Sequence, residues 1–136
     1  MSTRSYICLE LPDNKMVGVY CHWDGYLEHN GRLLVDHYET RDKVEELLRY
    51  GDISSLDSTI EDCEFYNRDR GEKLYPARFL TEEILESSWA EYYYLFGLDD
   101  NWYVKTSYTA TPWILLDAAL SDPTLVEGDS VEKEEK

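Results

Sequence analysis

SYICLELPDNKMVGVYC, residues 5–21, contains two runs of strand-forming residues on either side of a short turn. Residues 5–11 form the first run, and residues 16–21 form the second. Between them, Pro12-Asp13-Asn14-Lys15 has the residue types that favour turns. Alternating residues around such a turn predict an N-terminal β-hairpin.

A second hairpin is predicted towards the other end of the chain. Residues 89–96, WAEYYYLF, are rich in aromatic side chains, and their length favours a buried strand over a helix. Asp99-Asp100-Asn101 then forms a turn. Residues 102–108 alternate, with Trp102, Val104, Thr106 and Tyr108 on one side. This pattern predicts the second strand of a hairpin.

The residues between and after the hairpins carry helix signals. Helices are predicted over residues 27–38, 40–51, 81–87 and 111–120, and a further strand over residues 60–66. The second helix has Thr40 as its N-cap and Gly51 at its C-terminal end. The fold class is therefore α+β: a mostly antiparallel sheet built from N- and C-terminal β-hairpins, with helices packed on it. Residues 1–121 form one domain, and residues 122–136 are expected to be a disordered acidic tail.

The charge balance restricts the choice of partners. The chain has 29 acidic and 13 basic residues, which gives a formal net charge of −16. Such a field repels nucleic acids and anionic membranes, so a protein with a basic surface is the expected partner. An acidic surface that serves only solubility remains the alternative. The candidate partner-binding acids are Asp57, Glu61, Asp62, Glu64, Glu82, Glu83, Glu86, Asp99 and Asp100.

Cysteine usage and the N-terminus point to the cytoplasm. The three cysteines, Cys8, Cys21 and Cys63, form no CxxC pair, and an odd count argues against a disulfide framework. The first 15 residues lack the apolar run of a signal peptide. No segment has the length of a transmembrane helix. We therefore expect a soluble protein without a membrane partner.

The segment from Cys21 to Tyr26, CHWDGY, groups a thiol, an imidazole and a carboxylate. A Cys/His/Asp enzyme is one interpretation, but neighbouring residues on a strand point to opposite faces. His22 and Asp24 share a face. The interpretation we favour is architectural: Trp23 and Tyr26 anchor the core, Gly25 forms the turn, and Asp24 caps the next helix.

The sequence predicts no metal and no cofactor. His22, His29 and His37 are separated by seven and eight residues, which is too far for shared ligation on one helix. Neither a phosphate-binding glycine loop nor a GxSxG or HExxH motif occurs. No catalytic residue is predicted.

Aromatic residues support an alternative function, the binding of a small ligand such as a nucleotide signal. A cluster of Tyr92, Tyr93, Tyr94, Phe96, Trp102 and Tyr103 could either pack the sheet or stack on a base. In that alternative, Arg68, Arg70 or Arg78 would hold the phosphate. The overall negative charge favours this function less than protein binding.

The segments VYCHWDGYLEHNGRLLVDHY (19–38) and TRDKVEELLRYGDISSL (40–56) resemble a family of small, uncharacterised bacteriophage proteins with a CHWDGY-type motif. The resemblance covers residues 3–56, and it is weaker over residues 66–72, YNRDRGE. It implies a phage accessory protein that acts in the bacterial cytoplasm, and no catalytic residue transfers with it. Small acidic phage proteins often block the nucleic-acid site of host defence proteins, including CRISPR effectors. A non-enzymatic inhibitor is thus the leading hypothesis, and the oligomeric state, including a homodimer, stays open.

Overall fold

The computed structural model describes residues 2–128, which form an eight-stranded mixed sheet with helices on both faces. The strands are β1 Ser5–Leu11, β2 Lys15–Cys21, β3 Ile53–Ser55, β4 Glu64–Phe65, β5 Arg78–Leu80, β6 Tyr92–Phe96, β7 Trp102–Thr106 and β8 Ile114–Leu115. The helices are a π-helical turn Leu27–Gly31, α1 Arg32–His37, α2 Arg41–Arg49, α3 Glu82–Ser87 and α4 Leu116–Ser121.

The α+β class and both predicted hairpins are confirmed. β1 pairs with β2, and β6 pairs with β7, antiparallel in each case. The sheet order is β4-β3-β2-β1-β6-β7-β8, and β5 pairs with the first half of β2. The two hairpins, however, join through a parallel pair, because β6 enters the sheet from the same end as β1. β2 and β3 are also parallel, so the sheet is mixed.

Helix α2 follows its sequence signals closely. The Thr40 side chain accepts a hydrogen bond from the Lys43 backbone N–H at 3.3 Å, and Gly51 ends the segment with a φ of +80°. The predicted helix before it is present, but its first turn is π-helical. A Cβ atom at Gly31 would lie 3.4 Å from Leu116 and Tyr94, so this turn packs tightly against the sheet and α4.

Several short elements differ from the prediction. The strand expected over residues 60–66 is reduced to β4, since residues 59–63 form a turn. The helix expected from residue 111 begins only at Leu116, after β8. β3, β5 and β8 have only two or three residues each, which is too short for a readable alternation. Their positions are set by pairing with longer strands.

The first face of the sheet carries the larger core. Ile7 and Leu9 of β1 point into it, with Leu34, Val44 and Leu116 from the covering helices. Because the chain's own helices bury Ile7 and Leu9, these odd-numbered residues of the hairpin are not available for packing across a dimer. The second face has a smaller core around Cys8, Leu85 and Tyr93, and among residues 2–128 the helix that packs there is α3.

The folded domain extends beyond residue 121, where the sequence predicted that a disordered tail begins. Val126 is fully buried in the first-face core, and its carbonyl accepts a hydrogen bond from the Thr106 hydroxyl. The Tyr92 hydroxyl also donates to a Glu127 carboxylate oxygen at 2.5 Å. The boundary at residue 121 is therefore wrong, because the apolar side chain at position 126 has a site in the core. The rest of the predicted tail, residues 129–136, lies outside the described residues.

Over residues 2–128, the longest and most apolar helices fall short of what is needed to cross a bilayer.

Candidate binding surface on the second face of the sheet

The structure does not assemble Cys21, His22 and Asp24 into a catalytic group. The Cys21 thiol is buried on the first face, and burial raises its pKa to about 12. The His22 ring points the other way, where its Nδ1 lies 2.7 Å from the Tyr20 hydroxyl. The thiol instead contacts the Asn30 amide at 3.3 Å.

The rest of this motif divides into a buried turn and two exposed rings. Trp23 and Tyr26 are 43% and 41% exposed, so the prediction that they anchor the core is wrong. Asp24 does not cap the helix with its side chain: Tyr26 occupies the N-cap position, and no side-chain cap is present there. Asp24 adopts a φ of 58° and contributes its backbone carbonyl, which accepts from Asn30 N–H. Trp23 and Tyr26 lie outside because this tight turn directs their rings to solvent.

Gly25 is the residue that the turn requires. Its backbone N–H donates to the Thr3 carbonyl at 2.7 Å, and its carbonyl accepts from the Tyr94 hydroxyl at 2.5 Å. An added Cβ would lie only 2.8 Å from Ser5 Cβ. Gly25 therefore allows the close packing next to this turn, whose left-handed residue is Asp24, and its backbone ties the motif to the segment before β1 and to β6.

The nine predicted acidic residues are all exposed, but they lie on separate surfaces. Asp57, Glu61, Asp62 and Glu64 lie before or on β4; Glu82, Glu83 and Glu86 lie on α3; and Asp99 and Asp100 lie in the β6–β7 turn. Four strand spacings separate β4 from β6, which is about 19 Å at 4.8 Å per spacing. They do not form one continuous acidic patch.

Some of these acids already have partners within the chain. Asp99 accepts from the Tyr103 hydroxyl at 2.5 Å, and this bond is the first cause of a lowered pKa of the Asp99 carboxyl. Glu82 accepts from Lys105 Nζ at 2.9 Å and from the Trp113 indole at 3.2 Å. The hydrogen bond from Lys105 also lowers the pKa of Glu82. Asp99 and Glu82 therefore both form hydrogen bonds within the chain, although their carboxylates are exposed.

Two cavities lie on the second face, one lined by α3 and one by the residues that follow it. The first, which we call the acidic pocket, has a volume of about 510 Å³ and lies between α3 and β7. Its main lining residues are Glu82, Leu85, Glu86, Tyr93, Lys105 and Trp113. Lys105 and Glu82 neutralise each other, which leaves the exposed Glu86 carboxylate as the net charge of this set. The buried hydroxyl of Thr111, also in the lining, has no hydrogen-bond partner among residues 2–128.

The second cavity, the arginine pocket, has a volume of about 410 Å³ and lies over β1 and β2. Its main lining residues are Arg4, Tyr6, Tyr20, Asp52, Arg78 and Trp89. Strand register produces this arrangement, because Tyr6 and Tyr20 are paired neighbours on the second face and their rings meet edge to face at 5.7 Å. β5 brings Arg78 alongside β2, opposite Gly18.

The two arginines of this pocket differ in their bonding. Arg78 forms two bonds to the Asp52 carboxylate, at 2.9 and 3.2 Å, and Asp52 also accepts from the Tyr20 backbone N–H. Arg4 is less satisfied: its Nε is buried without a hydrogen-bond partner in the described chain, and the Glu91 carboxylate is 4.0 Å away. An unpaired buried donor is costly and needs an explanation.

The rim of the arginine pocket is aromatic. Trp89 is 81% exposed, which corrects the prediction that the buried strand starts at residue 89. Burial raises the pKa of Tyr20 to about 12, so its phenol is neutral at physiological pH. The exposed indole of Trp89 therefore lies beside the cavity and is free of cover within the described chain.

The other residues considered for ligands or metals lie elsewhere. The Arg68 guanidinium bonds the carbonyls of Ile60, Glu61 and Cys63, so it holds the loop before β4. Arg70 pairs with Glu72. Within residues 2–128 there is no group of three potential metal-ligating side chains, and His29 bonds the neighbouring Asn30.

The aromatic cluster of the second hairpin packs the sheet. Tyr92, Tyr94, Phe96 and Trp102 belong to the first-face core, Tyr93 belongs to the second-face core, and Tyr103 packs against the second. Packing of the sheet, the first of the two interpretations, therefore accounts for these rings.

Four residues of the arginine pocket were not predicted as site residues: Arg4, Tyr6, Tyr20 and Trp89. The available signal was the alternation of β1 and β2, which places both tyrosines opposite the apolar residues.

Comparison with known proteins gives no relative: no protein-family model, no curated protein and no solved structure matches this chain.

Proposed function

We propose that this chain is a non-enzymatic phage accessory protein that binds a basic surface of a host protein and blocks its interaction with nucleic acid. The host cytoplasm would be the place of action, and a defence protein is the proposed target. The observation that carries the proposal is the acidic pocket, which the exposed Glu86 lines together with Tyr93 and Trp113.

The chemistry of the acidic pocket suits a lysine or arginine side chain of the partner. A cation over an aromatic ring is stabilised by the ring quadrupole, and a neighbouring carboxylate adds a direct charge interaction. Lys105 already shows this mode within the chain, because its Nζ lies 5.6 Å from the Trp113 ring centroid.

The net charge of −16 supports the same partner over a longer range. The three separate acidic surfaces would steer a basic protein towards the chain and increase the association rate. The acidic pocket would then provide the specific contact. Steering alone gives little specificity, so a local site is needed in addition.

The test is affinity capture from bacterial lysate, with the full chain immobilised, at 0.1 and 0.5 M NaCl. We expect one basic protein to be retained at low salt and largely released at high salt, because exposed charges are screened. Mass spectrometry identifies it, and a DNA-binding assay on the purified partner measures inhibition. Glu86→Gln should weaken capture about tenfold.

Glu46→Gln is the matched control, because it removes the same charge from an exposed position on α2, away from the acidic pocket. If both variants lose capture equally, only bulk charge matters, and the role of the acidic pocket is refuted. Retention of no basic protein at either salt concentration would refute the proposed function as a whole.

A further inference from the structure

We propose that the arginine pocket is a binding site for a small phosphorylated aromatic molecule, with the chemistry of a nucleoside monophosphate. This site lies over β1 and β2, whereas the acidic pocket lies over β6 and β7, so the inference is independent of the proposed docking function. Each of the two parts of such a ligand has a matching set of side chains.

The phosphate part matches Arg4 and Arg78. Guanidinium groups donate in a planar fork that fits phosphate oxygens, and both line the cavity. The Arg4 side chain is 31% exposed and lines the cavity, so the exposed part of its guanidinium would meet a ligand oxygen, while its Nε is buried and stays out of reach. Asp52 holds Arg78 in place through two bonds, which fixes the direction of this second guanidinium.

The aromatic part matches Trp89. Its ring is 81% exposed at the rim, so nothing within the described chain covers the face on which a base would stack. Stacking between a base and an aromatic side chain is favourable and tolerates different bases. Tyr6 and Tyr20 form the floor between Trp89 and the arginines. Burial raises the pKa of Tyr20, so its phenol adds a hydrogen-bonding group without negative charge.

Charge and volume restrict the ligand further. Arg4 and Arg78 face the carboxylates of Glu91 and Asp52, so this region is close to neutral in a chain whose net charge is −16. A small ligand with a single phosphate would meet two guanidinium groups there, whereas a polynucleotide would extend into the surrounding negative field. The volume of about 410 Å³ lies within the usual range for small-molecule sites.

Isothermal titration calorimetry of the full chain tests this with AMP, GMP, CMP and UMP, and with adenosine and inorganic phosphate as the separate parts. We expect at least one nucleotide to bind at least about tenfold more tightly than either part, because both halves of the site are engaged. Arg4→Gln and Trp89→Ala should each weaken that binding about tenfold.

Arg49→Gln serves as the matched control, because it removes the same charge from an exposed position on α2 and should change the affinity less than twofold. Thermal melting of each variant shows whether it folds like the wild type; Trp89→Ala provides the test if Arg4→Gln is unfolded. Absence of binding by every nucleotide at millimolar concentration overturns the proposal. So does phosphate binding as tightly as AMP, or an oligonucleotide binding more tightly than the mononucleotide. None of these results affects capture through Glu86.

Discussion

The two faces of the sheet differ in how they are covered. Three α-helices and the segment around Val126 pack on the first face, and their apolar residues form one large core. The second face is covered by α3 and the segment around Trp113, and the acidic pocket and the arginine pocket open there. The same strands supply both faces, because their residues alternate in direction.

This difference indicates a division of roles. Burial of apolar surface on the first face provides most of the folding free energy. On the second face, aromatic and charged side chains line cavities instead of filling a core. Residues of the second face can therefore be changed with less effect on stability, and the proposed binding sites lie where the packing is sparse.

The largest expected effect is on the alkylation rates of the buried thiols, one beneath each face of the sheet. Burial raises the pKa of both Cys8 and Cys21 from 9 to about 12, so we expect native-state alkylation at pH 8 to be at least about a thousandfold slower than for a free thiol. Cys8 lies beneath the second face and should label faster than Cys21 through local opening. Peptide mapping after timed alkylation measures both rates. Faster labelling of Cys21 would contradict the proposed difference between the faces.

The same pKa shifts give a dependence of stability on pH. A thiol whose pKa is raised in the folded state stabilises the fold below its unfolded pKa, and this contribution is lost as the pH rises through about 9 towards 12. Urea denaturation at pH 8 and at pH 10.5 should therefore show lower stability at the higher pH. Cys8→Ala would reduce this loss.

Leu47→Ala and Trp89→Ala compare packing on the two faces. Leu47 is fully buried on the first face, and its truncation should lower the free energy of unfolding by about 2–5 kcal/mol. Trp89 is exposed, so Trp89→Ala should change it by no more than about 0.5 kcal/mol. Urea denaturation followed by circular dichroism measures both values. Equal destabilisation would show that the second face is as essential to folding as the first.

Gly25→Ala and Trp23→Ala compare the contributions of the buried turn and of an exposed ring of CHWDGY to stability. The added methyl group would press against Ser5 Cβ at 2.8 Å and the Thr3 carbonyl at 2.9 Å, and overpacking of this kind costs about 1–3 kcal/mol. Trp23→Ala, at an exposed position of the same motif, should stay within about 0.5 kcal/mol. Thermal melting of the two variants gives the comparison; the reverse order would show that the rings, and not the turn, hold the motif.

The smallest effect is expected from Glu82 at low pH. The hydrogen bond from Lys105 lowers the pKa of Glu82, so this pair stabilises the fold above the unfolded carboxyl pKa and loses its effect as the pH falls through the folded value. Because Glu82 is largely exposed, we expect well under 1 kcal/mol. Denaturation between pH 2 and 7 should show a slightly shallower acid dependence for Glu82→Gln than for the wild type.

Long elements with strong local signals could be predicted from the sequence. Both hairpins and α2 carry alternation, turn residues or a cap within their own segments. The parallel pairing of β1 with β6 could not be predicted, because no residue near either strand encodes the direction of a partner so far along the chain. Val126 was missed for a similar reason: one apolar residue among polar neighbours gives no period.

The sequence indicated fewer of the residues that line the cavities than of the elements that form the fold. Arg78 was one of three arginines considered for phosphate, and its position beside Tyr20 depends on β5, a strand of three residues. Arg4 reaches the same cavity from before β1. Such a site depends on strand order and register, which sequence patterns determine only when the elements are long.

The parallel pairing of β1 with β6 has a consequence for synthesis on the ribosome. The first hairpin can form early, but one edge of β1 keeps its backbone donors and acceptors unpaired until residues 92–96 have been translated. Contacts of such long sequence separation slow folding, because a large loop must close before they form. The nascent chain therefore presents an open strand edge until residues 92–96 have been translated, and its sheet is complete only after β8, residues 114–115, has followed.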